Sequence, residues 1–303
     1  MKAAIDIGTN TALLLVAEVR DGCIEILEEQ QRVPRLGKGV DEAKNLSKAA
    51  MRRVIKAVQE YQELLNRQYP CVEDLQVVGT SAVRDANNRK EFLNRVEKET
   101  GIDVRVLSGF EEAQYTFLGA QTVLEDALNA RQKVVIDIGG GSTEVAAGER
   151  ELRDRYSFNM GCVRYTERYL KGDPPNDLQM DACRKAALEM LESYEFNFVD
   201  NSILIGVSGT VSSLAFIDKG CKEFRSEDLN GYMLSLELIK DYITKFKRWP
   251  VKKLIESYPI VMEGRGDIFL AGLLILECFM EYYDFDSIIT STGGIRHGVL
   301  LDN

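Results

Sequence analysis

Two acids, Asp137 and Glu144, bracket the run Ile138-Gly139-Gly140-Gly141-Ser142-Thr143. Three consecutive glycines allow a turn that no side chain obstructs, so backbone N–H groups can approach an anion closely. Ser142 and Thr143 add hydroxyl donors. Carboxylates flanking such a cradle point to a phosphate held together with a divalent cation. The preceding Val134-Val135-Ile136 reads as a buried strand that ends on the first acid. A glycine-rich β-turn with polar caps is the structural alternative, and this stretch alone does not decide between the two.

The start of the chain bears on that choice. Lys2-Ala3-Ala4-Ile5-Asp6-Ile7-Gly8-Thr9-Asn10-Thr11 has the same form as Lys133 to Ser142, at an offset of 131 residues. Each copy is a strand, an Asp-Ile-Gly, a hydroxyl-bearing turn and a second apolar run. A period that long implies duplicated domains rather than a solenoid array. Two Asp-tipped hairpins, one per domain, would face each other across a cleft and hold phosphates between them.

Other candidates lie at expected strand ends, where ligands of open α/β sheets sit. Arg84 follows the strand Leu75 to Val78. It suits a bidentate phosphate contact, or else an ion pair with Asp85 or a neighbouring acid. Ser108-Gly109-Phe110-Glu111 fits a capping box, which gives Glu111 a structural task. Glu112 lies about 100° further round the helix and cannot share that task. It is therefore a candidate general base, or alternatively a helix-dipole partner. Ser208-Gly209-Thr210 follows the strand Ile203 to Val207 and forms a third anion corner or a simple N-cap. Arg32 to Gly39 is a basic loop, either a solvated turn or an electropositive rim. His297, near the end, reads as solvated or capping.

The elements that must position these residues follow from periodicity. A third strand is expected at 23–33 and an amphipathic helix at 47–68, where Met51, Val54, Ile55, Val58, Tyr61 and Leu65 recur at helical spacing. Helices are expected at 90–99, from 113 to about 128 (closing the first domain), at 163–170, at 177–194 and from 265 to 283. Strands are expected at 104–107 and 288–290.

Composition bounds the chemistry. With 303 residues the chain is long enough for two cores, and 45% hydrophobic with 28% charged residues is ordinary globular usage. A net charge of −10 argues against nonspecific nucleic-acid or anionic-membrane binding, which need a basic face. The one histidine excludes His-cluster metal sites and makes Ser/His/Asp catalysis improbable. Six scattered cysteines without a CxxC pair read as reduced thiols of a cytoplasmic protein. No apolar run is long enough to span a bilayer, and no signal pattern opens the chain.

Taken together, these motifs resemble the exopolyphosphatase/guanosine pentaphosphate phosphohydrolase family, within the fold shared by sugar kinases, actin and heat-shock chaperones. The resemblance rests on Ile5 to Thr11, Arg35-Leu36-Gly37, Thr80-Ser81-Ala82-Val83-Arg84-Asp85-Ala86, Ser108 to Ala113, Asp137 to Glu144, Ser208-Gly209-Thr210 and Gly294-Ile295-Arg296-His297-Gly298. It runs from end to end, and Thr-Ser-Ala-x-Arg together with Glu-Glu-Ala separates this family from others of the same fold.

The implied fold is α/β: two similar ribonuclease-H-like domains of the actin-like ATPase type, residues 1–125 and 126–303, with an interdomain cleft and a last helix free to pack back on the first domain. The implied reaction is Mg²⁺-dependent hydrolysis of a phosphoanhydride, from polyphosphate or guanosine pentaphosphate. Glu112 matches the family's catalytic base and Arg84 a phosphate-binding arginine. Asp137 and Glu144 match the acids around the metal and water, with Asp6 assisting. The cradle would be Gly8, Thr9, Asn10, Thr11, Gly139, Gly140, Gly141, Ser142, Thr143, Ser208, Gly209 and Thr210.

The chain departs from the family in two ways. It lacks the C-terminal helical region of longer members, so their substrate channel is absent or supplied by a second subunit of a homodimer. His297 also stands where the family usually has an acid. A kinase of the same fold would share the hairpins but normally needs a longer second domain and an acceptor pocket with a catalytic Asp. A noncatalytic alarmone sensor would keep the cradle but has no need of Glu112.

Overall fold

The computed structural model describes residues 1–124 and 132–302. The proposed domain boundary at 125/126 and the expected helix residues 125–128 lie outside that range. The first sheet comprises β1 (Lys2–Ile7), β2 (Ala12–Arg20), β3 (Cys23–Arg32), β4 (Asp74–Gly79) and β5 (Arg105–Val106), in the order β3-β2-β1-β4-β5. Its helices are α1 (Val40–Ala43), α2 (Lys48–Gln68), α3 (Ser81–Asp85), α4 (Arg89–Thr100) and α5 (Gly109–Gln121).

The second sheet starts with β6 (Lys133–Ile138), β7 (Thr143–Gly148) and β8 (Leu152–Phe158). After α6 (Cys162–Tyr169) and α7 (Asp177–Leu191) come β9 (Ile203–Val207), α8 (Ser208–Lys219), α9 (Ser226–Leu229) and β10 (Met233–Ser235). The chain closes with α10 (Leu236–Phe246), α11 (Val251–Ser257), α12 (Pro259–Met262), α13 (Phe269–Tyr282), β11 (Ser287–Thr290) and α14 (Ile295–Leu301). The strand order is β10-β11-β9-β6-β7-β8.

Both sheets share one plan: an antiparallel three-strand meander whose first strand pairs in parallel with the strand after a helical crossover. This is the actin-like ATPase arrangement. The copies differ where it matters. Asp6 faces Leu13 across its hairpin, whereas Asp137 faces Glu144, so only the second hairpin carries two acids.

The central strands are buried on both faces, which is why they read as continuous apolar runs rather than alternating ones. On the first sheet, Ala3, Ile5 and Leu14 pack with α2 residues Met51, Val54 and Val58. Ala4 and Leu15, on the opposite face, meet Leu300 of α14. On the second sheet, α13 lies in the core with Val134, Ile136 and Val145. The other face, through Val135, Ala146, Ile205 and Val207, is covered by Ala113, Phe117 and Ala120 of α5.

The expectation that the helix from 113 closes the first domain is thereby corrected: α5 packs on the second sheet and the last helix, α14, on the first. These two helices lie against each other, and Ser291 donates to the Ala120 carbonyl at 2.9 Å. The helix expected from 265 starts at Phe269, because Arg265 and Gly266 turn back on the Met262 carbonyl. Among the described residues no helix is long and apolar enough to cross a membrane.

Candidate active site

The two glycine turns meet. Gly8 N–H closes the first turn on the Thr11 carbonyl at 2.8 Å, leaving Thr9 at the tip. A Cβ added at Gly140 would fall 2.7 Å from Cβ of Thr9, and one at Gly141 would fall 2.4 Å from Oγ of Ser81. Glycine is therefore required here for close approach of the two halves as well as for an open amide cradle. The expectation that the Asp-Ile-Gly turns face each other describes what is seen.

Behind the turns stand the three acids. Burial pushes Asp6 up to about 7, with Asp137 adding repulsion against the pull of Arg296. Burial likewise lifts Asp137 to about 6, partly offset by hydroxyls of Ser208 and Thr116, the latter 3.4 Å from Oδ2. Glu144 is raised by burial and by Asp137, although Ser157 donates to its Oε1 at 2.7 Å. Oδ1 of Asp6 is buried without a hydrogen-bond partner.

Mutually repelling, desolvated carboxylates with an orphaned oxygen fit a cation that would replace their protons. Among the described residues no three acids, cysteines or histidines converge closely enough to cage a metal by themselves. An all-carboxylate donor set suits a hard cation such as Mg²⁺, which keeps waters and substrate oxygens in its shell.

The α5 N-terminus carries the capping box as expected: Glu111 accepts from Ser108 N and Oγ, both at 2.8 Å, and Ser108 Oγ accepts from Glu111 N at 3.3 Å. Arg105 also donates to Glu111, at 2.5 Å. Glu112 is turned away from this box and is 2% exposed. It ion-pairs with Nη1 of Arg84, which also donates to the Leu107 carbonyl at 3.2 Å. Arg84 lies near enough to Glu144 to draw its pKa down against burial and Asp137. Asp137, Glu144, Arg84 and Glu112 thus follow one another as neighbours at the turns, two acids and then an ion pair.

Several expected binding residues sit elsewhere. Thr143 is fully buried and donates to the Met160 carbonyl at 2.7 Å, so its hydroxyl is not available to a phosphate. Thr210 faces α13, where a Cβ at Gly272 would fall 2.3 Å from its Oγ1. Asn10 donates to the Gly264 carbonyl at 3.2 Å, tying the two halves together. Ser208 is no N-cap: Val207 holds that position, and the Ser208 hydroxyl lies between Asp137 and the Ile138 carbonyl, the latter 3.0 Å away.

In the basic loop, Arg35 pairs with Asp267 and Arg32 with Glu60, which leaves a tied turn rather than an electropositive rim. His297 is buried, not solvated. Its Nδ1 accepts from Gly294 N at 3.2 Å, and burial followed by Arg296 holds its pKa down at about 3, so it stays neutral.

Arg265 escaped the sequence reading. Its guanidinium lies where a Cβ of Gly209 would be, 2.0 Å away, and contacts Ser213 Oγ at 3.3 Å and Gln31 Oε1 at 3.2 Å. Among the described residues no acid pairs with it within the ion-pair limit. An arginine without a carboxylate, at the mouth of the α8 amide corner, is ready for an anionic ligand. The glycine at 209 leaves the room that this guanidinium fills, but it does not say which residue fills it.

Residues 15–303 match the Ppx/GppA phosphatase family. The chain is 36% identical to exopolyphosphatase 2 of Mycobacterium tuberculosis, over 99% of this chain and 97% of that protein. It is 28% identical to the guanosine-5′-triphosphate,3′-diphosphate pyrophosphatase of Vibrio parahaemolyticus, over 99% of this chain but 58% of that longer protein. Among solved structures, an exopolyphosphatase-like protein at 32% identity superposes with a TM-score of 0.91, covering 99% of this chain and 96% of the other.

Proposed function

Since the chain belongs to the Ppx/GppA phosphatase family, we propose that it is a phosphoanhydride hydrolase that releases terminal phosphate from inorganic polyphosphate, from guanosine pentaphosphate, or from both. The observation that carries this reading is the pairing of Arg84 with the buried Glu112 beside the Asp137–Glu144 acids and the glycine turn. A binding protein has no need to bury a carboxylate there, whereas hydrolysis needs a base for water next to a cradle for phosphate.

The roles follow from the chemistry. Amides of Gly139, Gly140, Gly141 and Ser142, together with Thr9 at the tip of the turn that Gly8 closes, hold the terminal phosphate oxygens, and Arg265 at Gly209 holds the next phosphate. An incoming phosphate competes with Glu112 for Arg84. As the guanidinium turns to the phosphate, the Glu112 carboxylate is released to orient a water and accept its proton. The water oxygen bonds to phosphorus, the bridging P–O bond breaks, and the shortened chain leaves with the electron pair. Mg²⁺, held by Asp137 and Glu144 with help from Asp6, would neutralise charge on the transferred phosphate. A cytoplasmic location accords with six free thiols, and a homodimer is the assembly we propose.

The test is phosphate release from polyphosphate, guanosine pentaphosphate and ATP in parallel, each with Mg²⁺ and with chelator. Release from one or both of the first two, dependent on Mg²⁺, is expected. Turnover confined to ATP, or undiminished after exhaustive chelation, would refute the reading.

A further inference from the structure

Among the side chains outside the site, one touches both parts of it. Arg164 projects from the first turn of α6, in the second half, and its guanidinium nitrogens have separate partners. Nε donates to the Gly141 carbonyl at 2.7 Å, Nη1 pairs with Asp41 at 2.9 Å, and Nη2 pairs with Asp85 at 2.6 Å. Arg164 is nearly buried, beside a small cavity of ≈ 20 Å³ that Thr9, Asp41, Asp85, Gly140 and Gly141 also line.

Two of these contacts bear on chemistry. The Gly141–Ser142 peptide is trans, so its carbonyl and the Ser142 N–H point in opposite directions. With the carbonyl held by Arg164, the Ser142 amide is aimed away from α6, towards the anion cradle. Asp85 in turn neighbours Arg84, with Oδ1 3.7 Å from Arg84 Nε, and Arg84 grips Glu112. One planar guanidinium therefore fixes an amide donor of the second half and, through Asp85, the arginine of the first. A fork of fixed geometry is needed for that, and an ammonium has none.

We propose that Arg164 is a positioning residue that couples closure of the two halves to alignment of the phosphate-binding amide and the Arg84–Glu112 pair. The proposal rests on the reading of Arg84 and Glu112 as the hydrolytic pair. Arg168 supplies a matched control, since it lies one turn along the same helix and pairs with the same Asp41 but touches neither Gly141 nor Asp85.

The experiment compares Arg164→Ala, Arg164→Lys and Arg168→Ala for phosphate release from polyphosphate, with kcat and KM separated. A geometric error near reacting groups costs about 10–10²-fold, so Arg164→Ala should lose that factor in kcat with a smaller change in KM. Arg164→Lys should recover little of it, while Arg168→Ala stays within about twofold. In a Glu112→Gln background, Arg164→Ala should cost only a few-fold, because both act on one unit. Equal losses for Arg164→Ala and Arg168→Ala, full recovery by lysine, or simple multiplication with Glu112→Gln would each overturn the proposal.

Amide hydrogen exchange reads the clasp without turnover. Protection of residues 139–142 and 81–86 should fall together in Arg164→Ala and not in Arg168→Ala; unchanged protection overturns the clasp. Wild-type protein that releases no phosphate from any substrate refutes the proposed function alone, and the exchange result still decides the clasp.

Discussion

Glu111 and Glu112 are adjacent, carry the same side chain and both lie in the first turn of α5, yet their surroundings assign them opposite tasks. Glu111 closes the capping box on Ser108 and pairs with Arg105 at the surface. Glu112 is buried against Arg84. Glu112→Gln keeps the shape and removes the basicity, so phosphate release should fall by about 10²–10⁴-fold. Glu111→Gln retains an oxygen for the cap and should stay near wild type. Single-turnover release at saturating Mg²⁺ measures both, with thermal melting to check folding. If Glu111→Gln collapses while Glu112→Gln does not, the base has been assigned to the wrong carboxylate.

The separation of these two acids was legible from helical geometry alone. Thr143 was misassigned for an equally simple reason. Residues alternate across a strand, so Ser142 and Glu144 share one face and Thr143 must point to the other. Arg265 was illegible because nothing in a linear reading brings residue 265 to the glycine at 209.

Element boundaries followed periodicity closely. The amphipathic stripe predicted α2, and Ser47 caps it by accepting from Ala50 N. What periodicity could not tell was which sheet an apolar helix face covers. Ala113, Phe117 and Ala120 read the same on either sheet, and only the three-dimensional crossing sends α5 to the second.

That crossing depends on glycine. A Cβ at Gly298 would fall 2.0 Å from the Tyr115 carbonyl oxygen, and one at Gly119 the same distance from that of Gly294. Both obstacles are backbone, so neither can swing aside. Gly298→Ala should push α14 off α5 at a cost of about 1–3 kcal/mol. Because α5 also carries Glu112, activity should fall more steeply than the melting temperature implies. Paired calorimetry and turnover measurements test this, and a variant with unchanged stability would show that the helices have room to move.

At the scale of the whole molecule the site is a burden on stability, and the sign of that burden can be worked out. Unfolded aspartates release their protons near pH ~4, whereas folded Asp6 and Asp137 hold theirs to about 7 and about 6. The folded chain thus binds more protons in that window, and stability should decline as pH rises through it, by about 1.4 kcal/mol per pH unit for each proton released. His297 acts in the opposite direction: with its pKa at about 3, its contribution grows from there towards its unfolded value and is complete near pH ~6.5. It offsets part of the loss on the acid side and none of it above neutrality.

Urea unfolding with chelator should therefore find wild-type protein less stable at pH 8 than at pH 6. Asp137→Asn, relieved of a desolvated charge, should be the more stable protein at pH 8 although inactive. A divalent cation that takes the place of those protons reverses the order by mass action, adding about 2.7 kcal/mol at 100 times its dissociation constant. Mg²⁺ should then raise the wild-type midpoint strongly at pH 8, weakly at pH 5, and much less in Asp137→Asn. A wild-type midpoint that is flat in pH without metal, or an equal response of both proteins to Mg²⁺, would mean that the buried acids are neither strained nor the place where the cation binds.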